Sequence, residues 1–205
     1  MPSPIAHALT GVLTSWVADL SPGSSNRDGR ASSAARPLGG FALTCAVLAA
    51  IPDIDLLFSG HRTITHSIGA VTFVALAGAI AGALAGRPAA RVAVICAVAY
   101  ASHIFLDWLA VDRTPPRGVQ ALWPFDQHWY ISGWNLFKAT ERRHVFTPAA
   151  IKQNAAAIAQ ELALLAPLLA IAWVARRRAR RNPADHQQDA SSASSFADIR
   201  VRGGQ

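Results

Sequence analysis

Charge is scarce in this sequence. Asp, Glu, Lys and Arg together make up 15% of its 205 residues, against roughly 25% in an average soluble chain. Lysine is nearly missing, with Lys138 and Lys152 standing alone among nineteen basic residues. Cysteine is limited to Cys45 and Cys96, with no C-x-x-C spacing, which excludes a disulfide scaffold. Both lie inside apolar runs, where a free thiol packs as a small hydrophobe. No three-residue glycine period marks a collagen-like chain, and a hydrophobic share of 52% excludes a fully disordered one. What is present is apolar and concentrated. The mean hydropathy is only +0.25, because two polar stretches, residues 21–37 and 182–205, dilute long hydrophobic runs.

The clearest run is Ser67 to Gly86, which carries no charge and is long enough as a helix to cross a bilayer. Its Gly78, Gly82 and Gly86 form two overlapping G-x-x-x-G steps, a pattern that either admits a neighbouring helix at close range or reflects Ala/Gly drift on a lipid-facing surface. The short link from Arg87 to Arg91 leads to a second run, Val92 to Val111, so these two predict an antiparallel hairpin. Leu38 to Phe58 and Ala156 to Ala175 are two further spans, and Thr147-Pro148 reads as the N-cap and first residue of the last helix. Ile5 to Leu20 is a shorter N-terminal helix, read as retained because it lacks a basic leader and a small-residue cleavage site. The expectation is an all-α, multi-pass transmembrane helical bundle of four spans plus a shorter N-terminal helix, occupying residues 1–181. Residues 21–37 read as a flexible insertion, and residues 182–205 as a disordered tail. Residues 112–147 hold Trp123, Trp129, Tyr130 and Trp134, rings that favour headgroup depth, so this segment is expected at the membrane interface.

The formal charge of +7 could suit nucleic acid or anionic lipid, and the position of the arginines decides. Arg176, Arg177, Arg178, Arg180 and Arg181 directly follow the last span, which marks a cytoplasmic end. Membrane lipids are therefore the expected partners and nucleic acid is not. Tracing back, residues 112–147 fall outside, and so do the polar residues at span ends: His7, Asp53, Asp55, His61, His66, His103 and Asp107. Ionisable groups at such depth are costly and should face partners or water inside the bundle.

His103 and Asp107 are four apart, so they share one helical face, as two metal ligands or a ligand and its orienting carboxylate would. A plain hydrogen bond locking two helices is the alternative. Pro52-Asp53-Ile54-Asp55 sets two carboxylates at a helix end, where Pro52 loosens the hydrogen bonding. His61-Arg62-Thr63-Ile64-Thr65-His66-Ser67 brings two imidazoles into a tight turn. Imidazole and carboxylate donors without nearby thiols suit a divalent ion, zinc foremost, with manganese or magnesium as alternatives. Such an ion lowers the pKa of water, which points to hydrolysis. Arg62 could hold an anionic substrate oxygen or reach to headgroups. Glu161, about five residues or roughly 7.5 Å inside the last span, is a further ligand or general-base candidate, or else a partner within the bundle. Asp126, His128 and His144 are weaker candidates in the surface segment.

Together, Pro4-Ile5-Ala6-His7, Pro52-Asp53-Ile54-Asp55, His61-Arg62-x-x-Thr65-His66-Ser67 and His103-x-x-x-Asp107 resemble the YdjM/YbcI-type family of bacterial inner-membrane, metal-dependent hydrolases. The resemblance runs from about residue 1 to residue 135. It implies a multi-pass helical membrane protein whose metal site is made by these His and Asp residues. Metal ligation is expected from His7, Asp53, Asp55, His61, His66, His103 and Asp107, and catalysis from Asp53, His66 and Asp107. Thr63 stands where the family commonly has Gly. A cation transporter and a non-catalytic helical scaffold are the competing readings. The transporter predicts a polar path through the membrane, and the scaffold predicts no bound metal.

Overall fold

The computed structural model describes residues 1–20, 39–57, 62–142 and 144–202, with side chains described up to residue 179. The insertion at 21–37 and His61 lie outside the described residues. Five helices follow in chain order: α1 (Pro4–Ala18), α2 (Gly40–Ala50), α3 (Ile68–Leu84), α4 (Ala89–Leu109) and α5 (Pro148–Arg202), with 3-10 turns at Ile51–Leu57 and Ile64–His66. No strand occurs among the described residues, only the isolated bridges Ala110 to Phe137 and Val119 to Tyr130.

Local sequence explains most helix ends. The Ser3 side chain caps α1 by accepting from the Ala6 amide, with Pro4 as the first helical residue. Ser67 caps α3 in the same way through the Ala70 amide. Thr147 Oγ1 accepts from the Ala150 amide at 3.2 Å, so α5 starts where Thr147-Pro148 predicts. Two further amides at the start of α3 are satisfied from the surface segment, Ile68 by Ala121 O at 2.8 Å and Gly69 by Trp123 O at 3.0 Å.

Two helices are long and apolar enough to cross a membrane, α4 and the Pro148–Ala179 part of α5. Among the described residues, two of the four expected spans therefore meet this measure. α3 is apolar but has only 17 residues. The Leu38–Phe58 run does not form one helix, because regular α geometry ends at Ala50 and the chain through Pro52 continues as 3-10 turns. Pro52 lacks an amide hydrogen and its ring crowds the preceding turn, so the break follows from its chemistry. At the other extreme, α5 continues to Arg202, through residues where composition predicts a disordered tail. Extending a nucleated helix costs far less than starting one, which favours continuation into a segment that would not form a helix alone.

α1 packs against α2, α4 and α5, and α4 packs against α1, α2 and α3. A core of Ala6, Leu106, Leu109, Ala110, Phe137 and Leu165 ties α1, α4 and α5 to the surface segment. A second core joins Cys45 to Ile95 and Ala99. Both cysteines are free and buried. At the end of the bundle formed by the last turn of α1 and the first of α4, Arg91 donates to Ala18 O at 2.7 Å and Arg176 pairs with Asp19 at 2.6 Å. Arg176 also lies over Trp16, and Arg177 over Trp173. The outward side of α3 is an unbroken apolar stripe of Phe73, Leu76, Ile80 and Leu84, each more than half exposed.

α3 and α4 form the expected antiparallel hairpin, and the glycine steps are its seam. A Cβ at Gly78 would lie 3.1 Å from Cys96 Cβ, and one at Gly82 would lie 3.0 Å from Val92 Cβ. Gly86 is not in the seam; it turns the chain with φ of 65° after the helix ends. Gly82→Leu is expected to push α3 off α4 and lower the thermal midpoint in detergent by about 3 °C or more. An unchanged melting curve would show that the glycine stripe does not set the helix spacing.

Candidate metal centre

The first turn of α1, the 3-10 turn after α2, the turn before α3 and the last two turns of α4 all meet at the opposite end of the bundle from the Arg176–Asp19 pair. Ligand atoms of Asp53, His66, His103 and Asp107 converge there, all within 4.8 Å of one another. The α-helical period places His103 above Asp107, with His103 Nε2 3.5 Å from Asp107 Oδ2. His66 Nε2 is 3.4 Å from the same oxygen, and His103 Nε2 is 3.6 Å from Asp53 Oδ1. Both rings are fully buried, and Asp107 nearly so.

The protonation pattern identifies what this geometry needs. His103 Nδ1 lies 2.8 Å from the Ala49 carbonyl oxygen, which can only accept. Nδ1 therefore carries a hydrogen, and in the neutral ring Nε2 presents a lone pair. His66 Nδ1 faces Asp55 Oδ2 at 3.2 Å, so its Nε2 is likewise the outward lone pair in the neutral ring. The two Nε2 atoms are 3.0 Å apart. Two lone pairs at that distance repel unless a cation lies between them, either a proton or a metal ion. Both Asp107 oxygens are buried without a hydrogen-bond partner, a costly arrangement for a carboxylate unless a facing cation balances its charge. Two imidazole nitrogens with two carboxylates fit a borderline divalent ion.

The remaining predicted residues take different places. Asp55 is not in the converging group. It accepts from the Arg62 amide at 3.0 Å and faces His66 Nδ1, the position of an orienting carboxylate. His7 stacks on His103 with centroids 3.7 Å apart, and its Nε2 is 3.6 Å from Asp107 Oδ1. It is fully buried with neither ring nitrogen hydrogen-bonded, so it abuts the centre beside the four converging groups. Arg62 is not available to a substrate: it is buried, paired with Asp112 and in contact with Thr114 O. Its own φ of 67° turns the chain into the histidine motif. Glu161 does not join the centre either. It accepts from both the amide and the hydroxyl of Ser3, the amide at 2.7 Å, and so anchors the start of α1 to α5. Asp126 accepts from Tyr130 and His128 within the surface segment, and His144 is exposed.

One residue that sequence reasoning missed is Arg142. From the far end of the surface segment it reaches both Asp53 oxygens, at 3.2 and 3.3 Å, and Pro2 O at 2.9 Å. No local motif marks it. Tyr100, whose hydroxyl donates to Thr65 O at 2.7 Å, fixes the histidine turn against α4. His66, Met1 and Asp126, all outside the apolar helices, have shifted titrations. Burial opposes protonation of His66, but the Asp107 and Asp55 carboxylates facing its ring outweigh that and push its pKa up to about 9. Burial lowers the Met1 amine. Hydrogen bonds from Tyr130 and His128 hold Asp126 down at about 2.

The model of a family described as YdjM inner membrane protein matches residues 1–179. No curated protein and no solved structure matches the chain.

Proposed function

The chain belongs to the YdjM inner membrane protein family, and from that premise we propose that it is a membrane-bound, metal-dependent hydrolase. The observation that carries this reading is the convergence of ligand atoms from Asp53, His66, His103 and Asp107 within 4.8 Å, among them a buried carboxylate with no hydrogen-bond partner. Asp53, His66, His103 and Asp107 would hold the ion, for which zinc is the best match. A bound divalent ion supplies Lewis acidity and brings the pKa of water toward neutrality. The protein's share is to aim and desolvate: Asp55 and the Ala49 carbonyl set the two ring tautomers, and α1 with α4 excludes bulk water from His7, His66 and His103.

In this reading α3 and the α2 segment also cross the bilayer, giving a multi-pass bundle with the arginine-rich end cytoplasmic and the centre on the outer face. The surface segment supports that orientation. Phe125, Trp134 and Phe146 are among its most exposed side chains, as expected of rings at headgroup depth. A centre opening there suits an amphiphilic ester or phosphodiester. The transporter reading fits less well, because Cys45, Ile95 and Ala99 form an apolar layer between the centre and the opposite end of the bundle. Detergent-purified protein assayed against lipid substrates with added divalent ions is expected to turn over, with His66→Ala at least about 100-fold slower. Equal turnover by the two proteins would remove the proposal.

A further inference from the structure

Access to the centre is uneven. The side chains of His66 and His103 are 0% exposed and that of Asp107 is 1%, whereas that of Asp53 is 9%. Arg142, lying against Asp53, is 23% exposed. Asp53 is therefore the most exposed of the four converging residues, and the Arg142 guanidinium lies directly beside it. The other nearby arginine is already committed: Arg62 is buried against Asp112.

Arg142 is held loosely by comparison. Its contacts to Asp53 are 3.2 and 3.3 Å, longer than the roughly 2.7–2.9 Å of a tight charge-assisted bond. Its Nε makes no hydrogen bond among the described residues. A carboxylate that gives an oxygen to a cation shares less of its charge with a neighbouring guanidinium. Arg142 would then have both charge and donors to spare for a second anion. A guanidinium beside a divalent ion presents two separate positive groups, which suits a ligand with several anionic oxygens more than a lone carboxylate.

We propose that Arg142 forms a phosphoryl-binding subsite next to the centre, so that the substrate is a phosphoester engaged by its anionic oxygens. This rests on the metal-dependent reading above and narrows it to one substrate class. The phosphoryl group could belong to a lipid headgroup or to a water-soluble ester.

The test uses the full-length protein in detergent, loaded with zinc and dialysed free of excess. Zinc content is measured by elemental analysis, and inorganic phosphate is titrated calorimetrically into wild type, Arg142→Gln and Arg142→Lys. Zinc content is expected to be equal in all three. Phosphate affinity should fall on the order of 10- to 100-fold in Arg142→Gln, with a smaller loss in Arg142→Lys. Parallel titrations with glycerol 3-phosphate and with phosphatidate in nanodiscs assign the source, since the tighter ligand identifies it and either supports the subsite. Unchanged phosphate affinity in zinc-loaded Arg142→Gln overturns the subsite while leaving the metal centre intact. So does acetate binding as tightly as phosphate, or a loss confined to zinc, which would make Arg142 only a positioning residue for Asp53. A wild type that binds no zinc overturns the hydrolase reading itself.

Discussion

Asp107→Ala is expected to abolish stoichiometric divalent-metal binding, lowering apparent zinc affinity by more than the 10- to 100-fold typical of losing an orienting partner. Asp107 lies within 3.6 Å of nitrogens on His7, His66 and His103, whereas Asp53 faces His103 alone among these rings. Asp55→Asn, which removes only the carboxylate behind His66, should fall within the typical range of about 10- to 100-fold. Elemental analysis of the purified proteins and competition against a chromophoric chelator read both effects. Equal metal in wild type and Asp107→Ala would mean that the cluster only packs helices. The pH dependence has a definite sign. In chelator-treated protein His66 retains its proton up to about pH 9, so an ion must displace that proton to use Nε2. Apparent zinc affinity should therefore weaken by about tenfold for each unit of pH below that value, for one displaced proton.

Gly11→Val is expected to be the most damaging single substitution in the helix packing. A Cβ at Gly11 would fall 2.2 Å from Cys45 O and 2.8 Å from Ala46 Cα. Both obstacles are backbone, so no side-chain rotation relieves the clash and α1 must move away from α2. The thermal midpoint in detergent should drop by about 5 °C or more. Gly40→Ala is the control, since nothing lies within 4 Å of its would-be Cβ, and its midpoint should hold. His7 precedes Gly11 by four residues on α1, so the displaced helix should also carry its ring away from His103. Zinc binding in Gly11→Val should weaken with the melting point. A variant that melts and binds like wild type would show that α1 and α2 tolerate a wider spacing than their crossing indicates.

Much of the centre was legible because its chemistry is written in unusual residue choices. A chain this poor in charge has little reason to put His103 and Asp107 one helical turn apart, or His66 beside Thr65 and Ser67, unless the groups serve each other. The α3–α4 hairpin was legible in the same way, from a short link between two long apolar runs. The roles were less so. Asp55 and Asp53 are two residues apart in one 3-10 turn and look equivalent in sequence, yet one orients His66 Nδ1 and the other faces His103 Nε2. Arg62 stands in the motif as a candidate for a substrate oxygen or a headgroup, but Asp112, fifty positions later in the chain, pairs with it.

Local chemistry determined what could be read residue by residue: the apolar runs, the cap at Thr147, the loosened hydrogen bonding at Pro52 and the ligand types. These depend on neighbours a few positions away, whose spacing is set by the helix period itself. Tertiary structure alone decided which polar groups meet. Glu161 reaches Ser3 across 158 positions and Arg142 reaches Asp53 across 89. Such pairings depend on how helices cross and on where a long surface segment returns, and a close approach like Gly11 against Cys45 sets that crossing through the absence of one carbon.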